Sequence, residues 1–411
     1  MTSYSASDIA DRIEGAAGVS SPGQPQPPGA EWLYLRYLNR AHAMAVSRYA
    51  DSASIDSAMR GACRLTFGPA QLRAHHDRDV LARWSKNLDA EIDGNARNRS
   101  YSAPNTHPAG DDEQVEPMSV RSVGIVGTGI MATGITQTYL AAGIDVSVAS
   151  RSTESSAKFS ANLDRALTRQ RIDDNTRAAI TDRVHVAEGY GHLRTCDLVI
   201  ECVAENFTTK TAVFCALDRL CPSTTVLATT TSSLQICDIA AFTDTPTRVI
   251  GMHFFNPANT MPLIELIATH KSAPRTITIA ENAAKLAGKE VVRCGDRPGF
   301  IVNALLIPYL NDALRVLRTT RNAPDLDCTM RRFGFPMGPV ALLELIGLDV
   351  ALTIQHTLKA AFGDDESVPD PLLAALVENN ILGRKNRTTV AEFLAAATPA
   401  TDVSRRSVNS L

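Results

Sequence analysis

Residues 120–142 read VRSVGIVGTGIMATGITQTYLAA, and this stretch decides the fold. Its first part, Val120 to Val126, is apolar and alternating as a first β-strand should be, and its last part, Ile130 to Ala142, has the apolar spacing of a helix. Between them, Gly127 and Gly129 permit a tight turn and the close approach of a pyrophosphate to the helix N-terminus, where unpaired N–H groups favour an anion. The stretch therefore predicts the first strand, glycine loop and helix of a dinucleotide-binding domain.

Apolar stretches alternate with helical patterns from residue 120 to residue 295, which predicts a doubly wound, mostly parallel sheet. The chain after this region reads as helical, beginning with a helix over Gly299 to Arg318. The predicted fold is a Rossmann-like α/β domain followed by an all-α domain. The expected strands lie at Val123-Val126, Asp145-Ala149, Val184-Val186, Leu198-Cys202, Thr225-Ala228, Val249-His253, Leu263-Ile267 and Glu290-Arg293.

A histidine and a carboxylate form the candidate chemical site. His253 lies in Gly251-Met252-His253-Phe254-Phe255-Asn256-Pro257, and Glu265 follows twelve residues later. A carboxylate bonded to one ring nitrogen fixes the tautomer and stabilises imidazolium, so the other nitrogen can take a proton from a hydroxyl or return it to a ketone. A lone histidine at a strand end is more often a core residue, and its partners decide between the two readings. With the glycine loop, the pair indicates an alcohol/ketone oxidoreductase.

Further short motifs accompany these two features, in order, across both predicted domains. In the first domain they are Gly127, Gly129, Met131 and Gly134, then Glu201 and Glu205-Asn206, then Thr231-Ser232-Ser233-Leu234, His253-Phe254-Phe255-Asn256-Pro257, Glu265 and Pro298-Gly299-Phe300-Ile301-Val302-Asn303. In the helical domain they are Phe335-Pro336-Met337-Gly338-Pro339, Gly347-Leu348-Asp349 and Leu382-Gly383-Arg384-Lys385. On these motifs, the stretch from Val123 to about Gly383 resembles the 3-hydroxyacyl-CoA dehydrogenases, in which a nucleotide-binding domain precedes an all-helical domain.

The resemblance implies roles for four residues at the reacting centre. His253 would be the general base that deprotonates the C3 hydroxyl, and Glu265 would hold its ring and stabilise the cation. Ser232 and Asn303 would hydrogen-bond the reacting oxygen and the thioester side of the substrate. Small neutral donors suit a developing oxyanion, since they stabilise it without adding a competing titration.

The resemblance also implies a set of cofactor contacts. The glycine loop would contribute Gly127, Gly129, Ile130 and Met131, and Asn256 would make a second polar contact at the nicotinamide or at the histidine loop. Glu205 and Lys210 match positions near the cofactor cleft. Lys210 would either touch the ribose or carboxamide or lie on a solvated helix face.

The end of the second strand departs from the family pattern. An acidic residue is expected there, about twenty positions beyond the glycines, because its carboxylate accepts hydrogen bonds from the adenosine ribose hydroxyls. This chain has Ser150-Arg151-Ser152 instead. A carboxylate would repel a ribose 2′-phosphate, whereas a serine hydroxyl and a guanidinium can bind it, so the residues favour NADP over NAD.

A second departure follows Gly383-Arg384-Lys385. The family continues with a threonine, a Gly-x-Gly turn and an aromatic strand end, whereas this chain has Asn386-Arg387-Thr388-Thr389-Val390. Without those glycines the turn should not take the same positive-φ conformations, so a rearranged C-terminal edge is expected.

Composition and charge exclude several classes of function. The chain has 411 residues and a net charge of −3, with an isoelectric point near 6.3, so no nucleic-acid partner is expected. The first twenty residues lack the apolar core of a signal peptide, and the apolar stretch Val340 to Leu352 is interrupted by Glu344 and Asp349. Eight cysteines without a C-x-x-C pair and histidines without ligand spacing indicate a reducing compartment and no metal site. A cytoplasmic enzyme without a membrane partner is expected.

An N-terminal helical pattern repeats part of the C-terminal domain. Tyr37-Leu38-Asn39-x-Ala41 matches Tyr309-Leu310-Asn311-x-Ala313, and Ile55-Asp56-x-x-Met59-Arg60 matches Leu326-Asp327-x-x-Met330-Arg331. Gly68-Pro69-x-x-Leu72 likewise matches Gly338-Pro339-x-x-Leu342. Since short family members dimerise through the helical domain, the extra copy should cover that surface and give either a monomer with an internal pseudo-dimer or a homodimer.

The predicted organisation joins these segments, with Pro-rich stretches as tail and linker. It comprises a disordered tail over 1–30, a partial copy of the helical domain over 31–95, a linker over 96–118, an NAD(P)-binding domain over 119–297, a helical domain over 298–397 and a tail over 398–411.

The function predicted from the resemblance is the interconversion of an (S)-3-hydroxyacyl thioester and its 3-oxoacyl thioester with NADP or NAD. The substrate would be an acyl-CoA or, alternatively, a hydroxyacyl unit on an acyl-carrier protein. A catalytically silent member kept as a binding or structural protein is a third reading, and the presence of His253, Glu265, Ser232 and Asn303 argues against it.

Overall fold

A computed structural model describes residues 29–76, 120–169, 173–363 and 367–396 of the chain. The predicted linker over 96–118 and tail over 398–411 lie outside these ranges, as do residues 1–28 of the predicted N-terminal tail and residues 77–95 of the predicted repeat.

Residues 29–76, the described part of the N-terminal segment, contain three helices. They are α1 (Ala30–Val46), α2 (Ser52–Cys63) and α3 (Pro69–Ala74). Helix α2 begins where the Asp51 side chain accepts a hydrogen bond from Ser54 N at 2.8 Å. Its C-cap residue, Arg64, follows Cys63 and has a positive φ of 55°.

In the described residues that follow, eight strands form one sheet in the order β3-β2-β1-β4-β5-β6-β7-β8. Its strands are β1 (Ser122–Val126), β2 (Asp145–Ser150), β3 (Val184–Glu188), β4 (Leu198–Glu201), β5 (Val226–Thr229), β6 (Val249–Phe254), β7 (Leu263–Ile267) and β8 (Glu290–Cys294). The first six strands are parallel to one another. Strand β7 runs antiparallel to β6, and β8 runs parallel to β7. The order reverses between β1 and β4, which is the switch point where doubly wound sheets bind ligands.

Helices connect the strands of this sheet. They are α4 (Ile130–Ala141), α5 (Thr153–Arg169), α6 (Asp174–Thr181), α7 (Phe207–Leu220), α8 (Ile236–Ala240) and α9 (Pro274–Leu286), with short 3₁₀ turns at Gly191–Thr195 and Pro246–Arg248. Strands β4 to β7 are buried along their whole length, as expected of strands covered on both faces. The predicted fold class is confirmed.

The C-terminal region is helical. It contains α10 (Val302–Thr320), α11 (Ala323–Arg332), α12 (Pro339–Ile346), α13 (Leu348–Phe362), α14 (Pro371–Glu378), a 3₁₀ turn at Gly383–Lys385 and α15 (Val390–Ala396). Helix α10 begins three residues later than predicted, because Gly299 and Phe300 have positive φ angles of 79° and 47°.

The C-terminal edge ends in helix α15. Arg387 takes a positive φ of 62°, so the expectation that this turn requires glycine for such a conformation was wrong at this position. The turn is held by Thr388, whose Oγ1 accepts a hydrogen bond from Leu382 N at 3.0 Å.

Among the described residues, no single helix is long and apolar enough to cross a bilayer. Helices α12 and α13 reach that length and composition only when they are taken together, across a bend of 94°.

The described residues form two compact units, and the boundary crosses the N-terminal segment. One unit contains residues 41–70 together with the sheet, up to Ala304. The other contains residues 29–40 and 71–76 with the helices from Leu305 onward. Residues 29–76 are therefore divided between the two units.

In the unit that contains the sheet, α2 packs on the last two strands. Gly61 faces Leu263 of β7 so closely that an added Cβ would lie 3.0 Å from the Leu263 Cβ. Ser57 donates a hydrogen bond to Glu290 of β8. Residues of the N-terminal segment thus cover part of the β7–β8 edge.

The two copies of the repeated pattern share a local structural device. Asp56 accepts a hydrogen bond from Ala70 N at 2.7 Å, and an added Cβ on Gly68 would lie only 2.3 Å from Asp56. Asp327 accepts from Val340 N at 2.8 Å, and an added Cβ on Gly338 would lie 2.2 Å from Asp327. In both places an aspartate caps a helix that begins at the proline of a Gly-Pro pair, which supports our proposal that the segment is a partial copy.

In the helical unit, equivalent positions of the two copies contact each other. Tyr37 meets Tyr309 edge-on, with ring centroids 5.6 Å apart. The residues at the variable position of the Tyr-Leu-Asn-x-Ala motif, Arg40 and Asp312, form a buried ion pair with an N–O distance of 2.6 Å. Arg36 reaches the same carboxylate at 2.8 Å. Contacts between equivalent residues are the mark of an isologous interface, and we propose that the two copies form a pseudo-dimer within the chain.

The charge of Asp312 is maintained by these arginines. Burial alone would raise the pKa of Asp312, but Arg40, Arg36 and Arg315 outweigh burial and hold it at about 2. Because this value lies below the unfolded pKa of about 4, the contribution of the ion pair to stability is complete above about pH 4 and is lost as the pH falls toward 2.

Replacing Arg40 with methionine should lower the free energy of unfolding by about 1.5–3 kcal/mol at pH 7, because Asp312 loses a charged hydrogen-bond partner and keeps Arg36 at 2.8 Å and the more distant Arg315. Denaturant titration measures the change. Arg315→Met is the matched control: Arg315 is 3.5 Å from the same carboxylate and more exposed, so its loss should cost less than about 1 kcal/mol. If the pairing is intramolecular, the thermal midpoint will not depend on protein concentration. A midpoint that rises with concentration, or equal costs for both variants, would contradict the pseudo-dimer.

Candidate active site

The glycine loop leaves backbone space that a dinucleotide requires. Gly127 has a φ of 123°, and a Cβ there would lie 2.7 Å from the carbonyl oxygen of Cys202, so only glycine fits. An added Cβ on Gly129 would meet no atom within 4 Å. Gly129 is also the N-cap of α4 and offers no side-chain cap, so the first N–H groups of this helix remain available for a phosphate.

A cleft of about 410 Å³ adjoins this loop. Its wall includes Gly129 and Ile130, two arginines of α5, Arg165 and Arg169, and Asn256 from the loop after β6. Ile130 is 78% exposed here. Neither arginine was selected from the sequence, although their i, i+4 spacing on one helix face was visible there.

Met131 lies differently from its neighbour Ile130. It is partly buried and packs against the apolar core of the sheet. Its contribution to the loop is therefore to anchor the first turn of α4.

The end of β2 carries the residues that replace the expected carboxylate. Ser150 is 5% exposed, and its hydroxyl donates to the Ser152 carbonyl at 3.0 Å and lies 2.7 Å from the Ser156 hydroxyl. Arg151 is exposed directly beside it. The predicted serine contact to a phosphate is thus opposed by local bonds that use the Ser150 hydroxyl, whereas Arg151 is accessible.

His253 and Glu265 are partners across two strands. They lie directly opposite each other in the antiparallel pair β6–β7, and Nδ1 of His253 is 2.6 Å from Oε2 of Glu265. Both side chains are buried, at 6% and 0% exposure. The strand register alone brings the two groups together, since opposite residues in such a pair have neighbouring side chains.

The second carboxylate oxygen of Glu265 is also held. Oε1 accepts hydrogen bonds from Ile301 N at 3.0 Å and from Val302 N at 2.9 Å, where α10 begins. A carboxylate at a helix N-terminus is favoured by the helix dipole and by these unpaired N–H groups. Glu265 is therefore fixed at both oxygens.

Aromatic rings flank the imidazole. The centroids of Phe255 and Phe300 lie 4.6 and 5.4 Å from the centroid of the His253 ring. With Nδ1 committed to Glu265, Nε2 is the ring nitrogen that can exchange a proton with a bound molecule. Asn303, half-buried, follows Val302 in the first turn of α10, next to the N–H groups that hold Glu265.

Glu205 organises the turn that contains Ser232. Its Oε1 accepts from the Thr231 hydroxyl at 2.6 Å, from Ser232 N at 3.0 Å and from the Ser233 hydroxyl at 2.9 Å. Burial opposes ionisation of Glu205, but Lys210 and these donors outweigh it and lower its pKa. Ser232 is thus positioned through its backbone by a carboxylate at the carboxyl end of the sheet.

Lys210 lies beneath this turn, and both predicted readings of it need correction. Its side chain is 1% exposed, so it is not on a solvated helix face. Its Nζ is 2.9 and 3.0 Å from the two oxygens of Glu201 and 3.3 Å from Glu205, so it is already surrounded by carboxylates and not open to a cofactor. Burial would lower the pKa of Lys210, but Glu201 and Glu205 raise it. Lys210 holds Glu205 in place.

The predicted residues collect at one edge of the sheet. Gly127 follows β1, Glu205 follows β4, Ser232 follows β5, and His253 lies near the end of β6, all at carboxyl ends. Among the described residues, no group of three or more His, Cys, Asp and Glu side chains is arranged to hold a metal ion.

Comparison with known families agrees with this arrangement. Residues 122–297 match the model of the 3-hydroxyacyl-CoA dehydrogenase NAD-binding domain, and residues 299–393 match that of the 3-hydroxyacyl-CoA dehydrogenase C-terminal domain. The chain belongs to the 3-hydroxyacyl-CoA dehydrogenase family. The predicted family is therefore confirmed, and the protein is an oxidoreductase with a nicotinamide cofactor. Helices α1 to α3 lie before the first matched residue.

Individual family members support the assignment. The chain is 39% identical over 271 residues to a 3-hydroxybutyryl-CoA dehydrogenase of Clostridioides difficile, covering 64% of this chain and 96% of the relative. It is 36% identical over 276 residues to a probable 3-hydroxybutyryl-CoA dehydrogenase of Bacillus subtilis, covering 66% and 96%. The crystal structure of (S)-3-hydroxybutyryl-CoA dehydrogenase from Ralstonia eutropha superposes with a TM-score of 0.62 at 33% identity, covering 66% of this chain and 98% of that one.

Replacing Lys210 with methionine should lower the free energy of unfolding by roughly 3–5 kcal/mol, because the wholly buried Glu201 would lose its counter-charge. Chemical denaturation measures the loss. Lys158→Met is the control. Lys158 pairs with Glu154 on an exposed helix face, and both side chains are more than 70% exposed. The loss of this pair should cost less than about 1 kcal/mol of unfolding free energy. Equal stability of the two variants would show that the buried pair is not held as described.

Proposed function

We propose that the protein interconverts an (S)-3-hydroxyacyl thioester and its 3-oxoacyl thioester, with His253 as the proton-transfer group. The observation that carries this proposal is the buried His253–Glu265 pair, 2.6 Å apart, on the same sheet edge as the glycine loop. A core histidine kept for packing would not need a carboxylate fixed at both oxygens. The arrangement of the pair likewise argues against a catalytically silent protein.

The geometry supports a specific course for the proton. Glu265 holds Nδ1 of His253, so Nε2 accepts the proton of the C3 hydroxyl in oxidation and returns it in reduction. The buried carboxylate stabilises the imidazolium that forms. The nicotinamide ring, when bound, supplies the site that accepts or donates the hydride. Phe255 and Phe300 pack around the imidazole and limit the access of water.

Substrate orientation is assigned to two neutral side chains. Ser232 lies on the turn held by Glu205, and Asn303 lies in the first turn of α10 beside the backbone that holds Glu265. We assign them the reacting oxygen and the thioester side of the substrate, since neutral donors stabilise a developing oxyanion. Asn256, exposed in the loop that lines the cleft, is assigned a polar contact at the nicotinamide side.

The proposed thioester is that of coenzyme A. The similar proteins from Clostridioides difficile and Ralstonia eutropha are named as 3-hydroxybutyryl-CoA dehydrogenases, which favours CoA over a carrier protein. Arg165 and Arg169 add positive charge to the cleft beside the glycine loop, which suits the phosphate groups of a dinucleotide or of CoA.

For the cofactor we propose a preference for NADP(H) over NAD(H). The end of β2 lacks the carboxylate that would repel a 2′-phosphate, and Arg151 is exposed beside it. Because the Ser150 hydroxyl already bonds to Ser152 and Ser156, the attraction is assigned to Arg151.

NADPH should exceed NADH by about ten- to a hundredfold in kcat/KM for the reduction of acetoacetyl-CoA, since a charge-assisted contact contributes about 1.5–3 kcal/mol. Absorbance loss of each reduced nicotinamide measures the rates. The double variant Ser150→Asp/Arg151→Gln should reverse the preference, while Lys158→Gln, on the exposed face of α5, should leave the ratio unchanged. Equal or better use of NADH by the unmodified protein rules out the NADP assignment.

His253→Gln should lower kcat by about two to four orders of magnitude, because general acid–base catalysis contributes on that scale. Nucleotide binding, followed by fluorescence titration, should stay nearly unchanged. Glu265→Gln should also lower kcat, since an amide supports imidazolium less well. The exposed His270 provides the control, and His270→Gln should keep full activity. Near-normal turnover of His253→Gln would mean that another group transfers the proton.

A further inference from the structure

A tyrosine of the N-terminal segment is buried in the unit that contains the sheet. Tyr49 lies between α1 and α2, is 3% exposed, and donates a hydrogen bond from its hydroxyl to the carbonyl oxygen of Gly295 at 2.7 Å. The guanidinium of Arg297 stacks over its ring, 4.0 Å from the centroid. Tyr49 therefore contacts the chain at Gly295 and Arg297, directly after β8.

The segment that begins at this contact runs from Gly295 to Val302, and we call it the strap. Its last two N–H groups, of Ile301 and Val302, are those that hold Oε1 of Glu265. Within it, Gly299 and Phe300 have positive φ angles of 79° and 47°. A non-glycine residue in that conformation is held there by its surroundings, so the strap depends on contacts outside itself.

Besides the stacking of Arg297 on Tyr49, hydrogen bonds from two residues fix the first half of the strap. One is the hydrogen bond from Tyr49 to Gly295. The other comes from Asp296, whose two carboxylate oxygens accept from Ile236 N at 2.8 Å and Cys237 N at 2.7 Å at the start of α8. In the second half, Ile301 N and Val302 N donate to Glu265, and the Gly299 carbonyl accepts from Ala304 N at 2.9 Å.

A phenol and two thiols lie near Glu265 on this side, together with the charged strap residues Asp296 and Arg297. Burial raises the pKa of Tyr49 well above its usual value, and Cys294 and Glu265 act in the same direction, so the phenol stays protonated. Burial, with the charge of Glu265, raises the pKa of Cys63 in α2 to about 12. Burial also raises the pKa of Cys294 in β8. These three groups are therefore neutral at neutral pH, and the charges near them are those of Glu265, Asp296 and Arg297.

We propose that Tyr49 is a positioning residue for the His253–Glu265 pair, acting through the strap. The chain of contacts runs from the Tyr49 hydroxyl to Gly295, along the strap to the N–H groups of Ile301 and Val302, then to Glu265 and to Nδ1 of His253. Tyr49 lies before the part of the chain that matches the family. A residue of the N-terminal segment therefore contributes to a proton-transfer site within the same compact unit. The inference rests on the proposed role of His253.

Tyr49→Phe is the decisive variant, because it keeps the ring beneath Arg297 and removes only the hydroxyl. It should lower kcat for 3-hydroxybutyryl-CoA oxidation by about two- to tenfold, the range of one hydrogen bond, with KM nearly unchanged. A less firmly held Glu265 supports imidazolium less well. The acid limb of the kcat/KM profile should therefore move to lower pH, by roughly half a unit.

Tyr34→Phe is the matched control. Tyr34 is a buried tyrosine whose hydroxyl lies 3.1 Å from Nε2 of His76 in the helical unit, so its loss costs a comparable buried hydrogen bond. It should leave the pH profile in place. A profile for Tyr49→Phe that overlays the wild-type profile, or an equal shift in Tyr34→Phe, overturns the inference.

A measurement without turnover completes the test. The proton shared between His253 Nδ1 and Glu265 should give a low-field resonance in the NMR spectrum of the ¹⁵N-histidine-labelled protein, assigned by its absence in His253→Gln. Tyr49→Phe should move or broaden it, and an unchanged resonance counts against the positioning role. If His253→Gln retains normal turnover, the proposed function fails; if only the Tyr49 results fail, the function stands and the positioning role does not.

Discussion

A buried carboxylate constrains the site more than any other group. Glu265 is fully inaccessible, and a charge in that position is stable only when protein groups replace the water it has lost. His253 and the N–H groups of Ile301 and Val302 do so. Two features bring these groups to one carboxylate: β7 pairs antiparallel with β6, and α10 begins late, at Val302. The local conformations of the strand, the strap and the helix therefore all depend on the Glu265 carboxylate.

A second charge cluster, in which Glu201 and Lys210 are buried and Glu205 is 37% exposed, holds the site at the neighbouring strand ends. Glu201, Lys210 and Glu205 form a continuous ionic series that ends on the Ser232 turn. Thr229 of β5 also donates to Glu201 at 2.8 Å, which ties the cluster to the sheet. Apart from the proton-transfer histidine, the side chains assigned to the reacting part of the substrate are small and neutral, and the charges of this cluster lie behind the Ser232 turn. This arrangement keeps the reacting region free of competing titrating groups while holding it rigidly.

The sequence predicts the parts of this site that depend on local pattern. The glycine loop and the pairing of His253 with Glu265 follow from motifs within a few turns or strands of each other. The burial of Lys210 could not be predicted, because it depends on Glu201 and Thr229 arriving from two other strands. Ser150 was assigned to phosphate, whereas a serine at the end of a strand, shortly before a helix, also bonds to its own neighbours. Tyr49 and Gly295 are separated by 246 positions, and no pattern in one sequence reports such a contact.

The pairing of Arg40 with Asp312 has a consequence for how the two copies can change. At a twofold axis between identical subunits, every substitution is made twice, so a residue on the axis must be compatible with itself. Two aspartates meeting there would repel, and two arginines would as well. When both copies lie in one gene, each can mutate alone, and a single position can hold opposite charges in its two occurrences. Joining the two copies in one chain thus allows a surface that once had to match itself to become asymmetric. The copy without catalytic groups is then free to evolve other roles.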